Sequence, residues 1–206
     1  MSGDPTRRVA ALVLCGGRSR RMGHDKAALP FGPETMLERV VRIVTPVVDE
    51  VCVVAREGQA IRIEAPIARD PAEGLGPLAA LSCGLRAVTA ERAFVITCDA
   101  PLLRPEFVRR MLELSAGHEC TVPEIDGHRM VLAAVYLTRL HTRAQRLIER
   151  GERRAAALHE ASLTRLVTRD ELRDCDPALD SLIGCNSADE HRAALARAGL
   201  GGAAAR

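Results

Sequence analysis

Of the chain's 29 basic side chains a single one is lysine, Lys26, and it closes a loop reading Leu14-Cys15-Gly16-Gly17-Arg18-Ser19-Arg20-Arg21-Met22-Gly23-His24-Asp25-Lys26. A compact, mobile ammonium suits the charge developing on a phosphate at a crowded centre, a task for which arginine's planar fork is too broad. Gly16 and Gly17 let the backbone approach a ligand closely, while Arg18, Arg20 and Arg21 concentrate positive charge on the same stretch. The chemistry served is the binding of a polyanion, with Lys26 and Arg21 as candidate catalytic cations. An exposed basic turn would share this composition. The spacing excludes a Walker A loop, because Gly23 is followed by His24-Asp25-Lys26-Ala27, and no GxGxxG dinucleotide fingerprint occurs.

Three further polar residues are candidates, and one of them stands where an α/β fold places ligands. Asp99 directly follows the apolar run Phe94-Val95-Ile96-Thr97-Cys98, and an isolated carboxylate there suits magnesium held by few protein ligands. It also suits an Asx turn before Pro101. Asp70, in Ala68-Arg69-Asp70-Pro71, reads as a turn residue, and Asn186, the only asparagine, reads as a helix cap beside Ser187.

The elements that must position these groups alternate along the chain. Val9 to Cys15 is a continuous apolar run, as in a parallel strand covered on both faces. Thr35 caps a helix carrying Leu37, Val40, Val41 and Val44, which ends near Pro46. Strands are expected at Val51 to Ala55 and Ala93 to Cys98, and helices at 77–88, led by Pro77, and from Pro105 to Leu114. Cys120 to Pro123 and Val131 to Leu137 are strand-like, with a hairpin signal at Asp126-Gly127. Helical composition fills 141–150 and 153–160, Leu182 to Cys185 is expected as a short strand, and Ser187 caps a last helix over 188–198. The alternation predicts one α/β domain, a three-layer α/β/α arrangement around a mostly parallel sheet, spanning 8–198 between an N-terminal tail (1–7) and a flexible C-terminal tail (199–206). Ligands in such sheets bind at the carboxyl ends of strands, where the Gly-rich loop and Asp99 both fall.

Composition narrows the function classes. A net charge of +2 and four aromatic residues argue against a nucleic-acid partner. No apolar run reaches a membrane span of roughly 18 residues, and the first residues lack a hydrophobic signal segment, so a cytoplasmic location is expected. The seven cysteines fall at irregular intervals without a CxxC pair, the pattern of free structural thiols rather than of zinc or disulfides.

The motifs LxGGxSxRMGxDK (Leu14 to Lys26), GPLA (Gly76 to Ala79) and CDxPxL (Cys98 to Leu103), followed by Asn186-Ser187 before a helix, resemble in order those of molybdenum cofactor guanylyltransferases, within the nucleotidyltransferase superfamily. The resemblance covers about residues 8–198 and implies a Rossmann-like nucleotidyltransferase fold. It implies nucleotide binding by Leu14, Cys15, Gly16, Gly17, Lys26, Asp70 and Asp99, with Gly76, Pro77 and Leu78 along the base or ribose. Mg2+ would be held by Asp99, with Asn186 near the metal or the reacting phosphates. GTP and the molybdenum-pterin cofactor are the implied substrates, a molybdenum insertase and target apoenzymes are candidate partners, and a monomer or weak oligomer is expected. Gly16-Gly17, where cytidylyl-transferring relatives usually carry Ala-Gly, leaves room for a purine. The chain departs from the family pattern at Val54, at Val131-Leu132 and at Gly184-Cys185-Asn186. Competing readings are a cytidylyltransferase for the same pterin, a nucleotidyltransferase activating another small phosphate, a non-catalytic GTP-binding adaptor that delivers cofactor, and an inactive scaffold.

Overall fold

The fold was analysed in a computed structural model, which describes residues 8–15, 26–70 and 76–201. In chain order the elements are β1 (Val9–Leu14), a two-stranded hairpin of β2 (Pro30–Phe31) and β3 (Glu34–Thr35), α1 (Met36–Val44), β4 (Glu50–Arg56), β5 (Ile67–Asp70), α2 (Pro77–Ala87) and β6 (Arg92–Thr97). There follow α3 (Pro105–Leu114), β7 (Cys120–Ile125), β8 (His128–Arg129), β9 (Ala133–Leu137), α4 (His141–Glu149), α5 (Ala156–Glu160), β10 (Thr164–Val167), α6 (Arg169–Leu172) and α7 (Ala188–Arg197).

The main sheet runs β10-β7-β9-β6-β1-β4-β5, with β8 paired to β7. All neighbours on that path are parallel except β9, which is antiparallel to both β6 and β7. Because side chains alternate across a strand, β1 feeds two cores at once. Ala11 and Val13 pack with Leu37, Val40, Phe94 and Phe107 on the α1 and α3 side. Ala10, Leu12 and Leu14 pack with Leu78, Leu81, Leu85, Ala144 and Leu158 on the α2, α4 and α5 side. This double burial is why the first apolar run is unbroken, and it confirms the three-layer α/β/α fold. A Cβ on Gly84 of α2 would come within 2.8 Å of Val54 Cγ2 and 3.0 Å of Leu12 Cδ1, so this glycine lets helix and sheet pack closely.

Local signals resolve as their chemistry dictates. Thr35 and Glu38 complete a capping box at α1, and Pro77 and Pro105 lead α2 and α3. Asp126 and Gly127 both adopt positive φ, 51° and 79°, forming the tight turn that pairs β7 with β8.

Other expectations are corrected. Leu182 to Cys185 is not a strand: Asp180–Leu182 is a 3-10 turn, and the residues after it run as irregular chain. Its backbone is committed elsewhere, since Leu182 N–H and Ile183 N–H close the turn onto Leu179 and Asp180, and Cys185 N–H donates to the Asp99 carbonyl. The helix expected over 153–160 begins at Ala156, and the strand expected from Val131 begins at Ala133. Strands β5 and β10 carry no strong periodicity, and no local signal in the sequence announces either. Beyond α7, Leu200 N–H bonds to the Leu195 carbonyl and its side chain joins a small third core of Phe31, Met36, Cys185 and Ala194.

Candidate functional site

Strands β1, β4, β5 and β6 run in the same direction and open their carboxyl ends along one edge. The ladder continues one residue past β1 and β6: Cys15 N–H donates to the Val54 carbonyl at 2.8 Å and Cys98 N–H to the Leu14 carbonyl at 3.0 Å. Asp99 is therefore the first residue released from the sheet, between Cys98 and Ala100, which are buried in the α1 and α3 core. Lys26 opens a 3-10 turn, Lys26–Ala28, in which Ala27 is buried in the same core. With both backbones fixed, the Lys26 ammonium donates to Asp99 Oδ2 at 2.9 Å and to Asn186 Oδ1 at 2.7 Å.

Asn186 reaches this point through a buried polar anchor. The fully buried Asp176 carboxylate accepts the N–H groups of Asp180, at 3.0 Å, and Ser181, at 2.8 Å. Arg104, at the start of α3, lies 3.4 Å from Asp176 through Nε and donates its own N–H to Ser181 Oγ at 3.0 Å. Downstream, Cys185 N–H donates to the Asp99 carbonyl at 2.8 Å, and Asn186 N–H donates to Glu190 Oε2 at 2.6 Å. Ser187 caps α7 by accepting the N–H of Glu190. Burial, reinforced by the negative charges of Asp99 and Glu190, pushes the Cys185 thiol up to about 11, so at neutral pH it is an uncharged filler beneath the site.

Among the described residues, the oxygens that meet at Lys26 are one carboxylate and one amide, a hard-oxygen set that suits magnesium sharing its shell with phosphates and water. Gly184 keeps the space beside them clear: a Cβ there would stand 3.3 Å from Asn186 Nδ2 and 3.8 Å from Asp99 Oδ1. Among the described residues no group of three or more His, Cys, Asp or Glu forms a cage for an ion by itself. The residues present thus fit a divalent ion that comes with a phosphate ligand.

The remaining expected site residues lie apart from this centre or contribute differently. Leu14, Cys15 and Leu78 are buried, so their side chains belong to the core, and the Leu14 carbonyl and the Cys15 N–H are taken up by the sheet ladder. Gly76 has φ +75°, and a Cβ on it would lie 2.8 Å from the Arg153 carbonyl, which also accepts the N–H of Leu78 at 3.2 Å. Pro77 fills the first turn of α2. Asp70 ends β5, three strand positions from β6 and so roughly 14 Å across the sheet from the Asp99 end. It lines a separate cavity of about 650 Å³ between α2 and α4, with Ser82, Cys83, Arg86, His141 and Gln145. Gly16, Gly17 and Arg21 lie outside the described residues.

Sequence reasoning missed several positioning residues. Arg39 donates through Nε to the Pro101 carbonyl at 2.7 Å and stacks over Phe31 at 4.9 Å, tying the segment after Asp99 to the β2–β3 hairpin. Phe31 in turn meets His191 of α7 edge-on at 5.9 Å. Nothing distinguishes Arg39 among the chain's arginines. Glu190 was legible, because Ser187-Ala188-Asp189-Glu190 has the spacing of a capping box. Buried Gln59, which donates to the Cys15 carbonyl at 3.3 Å and accepts the N–H of Arg56 at 3.1 Å, had no local signal.

A doubly covered, mostly parallel sheet whose carboxyl edge gathers a lysine, a carboxylate and an amide is the architecture of an α/β nucleotidyltransferase. Residues 11–166 match the MobA-like NTP transferase domain, and the chain belongs to that family. A protein of Mycobacterium avium named probable molybdenum cofactor guanylyltransferase is 41% identical over 173 residues, covering 80% of this chain and 87% of the relative. A protein of the same name from Mycobacterium tuberculosis is 42% identical over 164 residues, covering 75% and 80% of the two chains. The fold is shared with a crystal structure of molybdopterin-guanine dinucleotide biosynthesis protein A from Archaeoglobus fulgidus, with TM-score 0.81 and 24% identity over 92% of this chain and 98% of the other. No helix among the described residues is long and apolar enough to cross a membrane.

Proposed function

We propose that the chain transfers GMP from GTP to the terminal phosphate of the molybdenum-pterin cofactor, forming a guanine dinucleotide cofactor and pyrophosphate. The observation that carries this reading is the meeting of Lys26, Asp99 and Asn186 at the sheet's carboxyl edge, from positions 73 and 160 residues apart. The relatives' names supply the nucleotide and the acceptor.

An ionised phosphate oxygen of the acceptor attacks the α-phosphorus of GTP, and the bond to the pyrophosphate oxygen breaks. The attacking oxygen carries no proton, so the protein needs no general base; its work is alignment and the offsetting of charge between two anions. Lys26 stabilises the charge that builds on the departing pyrophosphate, and Arg21 assists from the Gly-rich loop. The backbone around Gly16 and Gly17 cradles the triphosphate, while Gly76, Pro77, Leu78 and Asp70 contribute to the base and ribose side. Asp99 and Asn186 would hold magnesium, which would supply neutralisation of charge at the reacting phosphates.

The test is pyrophosphate release in the presence of Mg2+ and molybdenum cofactor, comparing GTP, CTP, ATP and UTP. Preference for GTP, lost in Asp99→Ala, supports the reading. Preference for CTP would move the chain to the cytidylyl branch, and nucleotide binding without turnover would make it a delivery adaptor.

A further inference from the structure

The position of the Lys26 ammonium has a consequence that a phosphate contact alone does not. It bridges Asp99 Oδ2, at 2.9 Å, and Asn186 Oδ1, at 2.7 Å, the same two oxygens that fit a divalent ion. An ion bound to Asp99 Oδ2 at about 2.1 Å, while Lys26 kept its contact, would lie no farther than about 5 Å from Nζ. With the two side chains only 19% and 16% exposed, little water remains to screen a divalent ion from an ammonium at that range.

We propose that Lys26 holds the place of the divalent ion in the resting protein, and that ion and ammonium exchange there, so that metal entry releases Lys26 to the triphosphate. The inference rests on the reading of Asp99 and Asn186 as metal ligands. The backbone has the right form for the exchange. Ala27 and the 3-10 turn fix the root of Lys26, whereas its four-carbon stem can swing, which a shorter or planar cation could not do as well. Occupation by the ammonium also keeps the Asp99 carboxylate balanced and the two ligands together before substrate arrives. Metal and nucleotide binding are then coupled: the ion frees the lysine that the triphosphate requires, and the triphosphate withdraws the cation that competes with the ion.

The test measures Mn2+ binding without nucleotide, by the electron spin resonance of free Mn2+, at constant ionic strength, in variants whose folding is checked by circular dichroism. Lys26→Met should bind Mn2+ about tenfold more tightly than the parent, because the competing cation is gone. Arg192→Met, which removes an exposed charge from α7, should stay within about twofold, and Asp99→Asn should lose about tenfold or more. Equal or weaker binding by Lys26→Met overturns the exchange, as does an equal gain in Arg192→Met, which would reduce the effect to general charge. If Asp99→Asn binds Mn2+ like the parent, the metal reading falls and the exchange falls with it; if it loses affinity while Lys26→Met gains none, the exchange alone falls. Since the chain has one lysine, isotope-labelled lysine gives a single side-chain ammonium resonance. Saturating Mg2+ without nucleotide should move that resonance, and an unmoved signal counts against the exchange.

Discussion

The Lys26 ammonium stands 2.9 Å from the Asp99 carboxylate across 73 residues of sequence, and the contact joins the end of the Gly-rich loop to the end of β6. Both side chains are largely shielded from solvent, and the cost of desolvating them offsets most of their mutual attraction, so the pair adds little net stability. On the proposed reaction, its worth lies in holding an ammonium and a carboxylate together where the phosphates would bind.

Lys26→Ala and Asp99→Ala should therefore each lower turnover by about a hundredfold or more, as expected when a group that offsets transition-state charge is lost. Their melting temperatures should change by only a few degrees. Pyrophosphate release and a thermal melt on the same preparations check this, and turnover at the parent rate in either variant removes the role assigned to that residue.

Gly184→Ala places a methyl group 3.3 Å from Asn186 Nδ2 and 3.8 Å from Asp99 Oδ1. The nearer contact is tight, so the Asn186 amide must shift by a few tenths of an ångström. A loss of about tenfold in turnover is expected, partly recovered at high Mg2+, with the fold intact, since positional errors of this size already weaken catalysis. An unchanged Mg2+ dependence would separate Gly184 from the metal ligands.

Asp176→Ala strips two backbone N–H groups of their buried acceptor and Arg104 of a partner. Each unmet donor costs about 1–3 kcal/mol, so a stability loss of roughly 2–5 kcal/mol is expected, or about 5–15 °C in Tm for a chain of this size. Turnover should fall as well, because Asp180–Leu182 leads into the segment carrying Asn186. Asp176→Asn keeps one acceptor oxygen and should lose less. Calorimetry decides, and a Tm near the parent's would show that Asp176 is dispensable.

Alkaline pH should expose the buried thiols. Burial, the largest cause, raises Cys120 from an ordinary 9.0 to about 11, against smaller lowering contributions from Ser162 and Thr164, and burial also raises Cys52. The unfolded chain then releases these protons first, so the folded state binds more protons in that window and stability falls as pH rises from about 9 to about 11. Cys83, Cys175 and Cys185, whose thiols burial likewise raises, contribute in the same window, so Cys120 supplies one part of the fall. Cys120→Ala should flatten the fall of Tm with pH; an identical slope in that variant would assign the effect elsewhere.

Much of this architecture could be read from local sequence because it is fixed locally. The apolar run of β1, the capping box of Thr35 and Glu38, the leading prolines of α2 and α3 and the Asp126-Gly127 turn each encode their conformation within a few residues. Lys26 and Asp99 stood out because each directly adjoins a recognisable segment. Strand β5, Ile67–Asp70, is not legible in the sequence, since four residues of mixed exposure at a sheet edge carry no clear period. The segment 182–185 misled because apolar residues in sequence do not reveal that their N–H groups are already spent on a 3-10 turn and on the Asp99 carbonyl.

Burial periodicity and residue chemistry, which act over short distances, are enough to specify a sheet covered on both faces and a cationic segment following its first strand. Tertiary structure alone decided that β9 enters antiparallel between β6 and β7, that Arg104 and Asp176 anchor the approach to Asn186, and that Lys26 spans Asp99 and Asn186. Those relations depend on strand order and on hydrogen bonds between residues far apart in the chain, which no local pattern of hydrophobicity can specify.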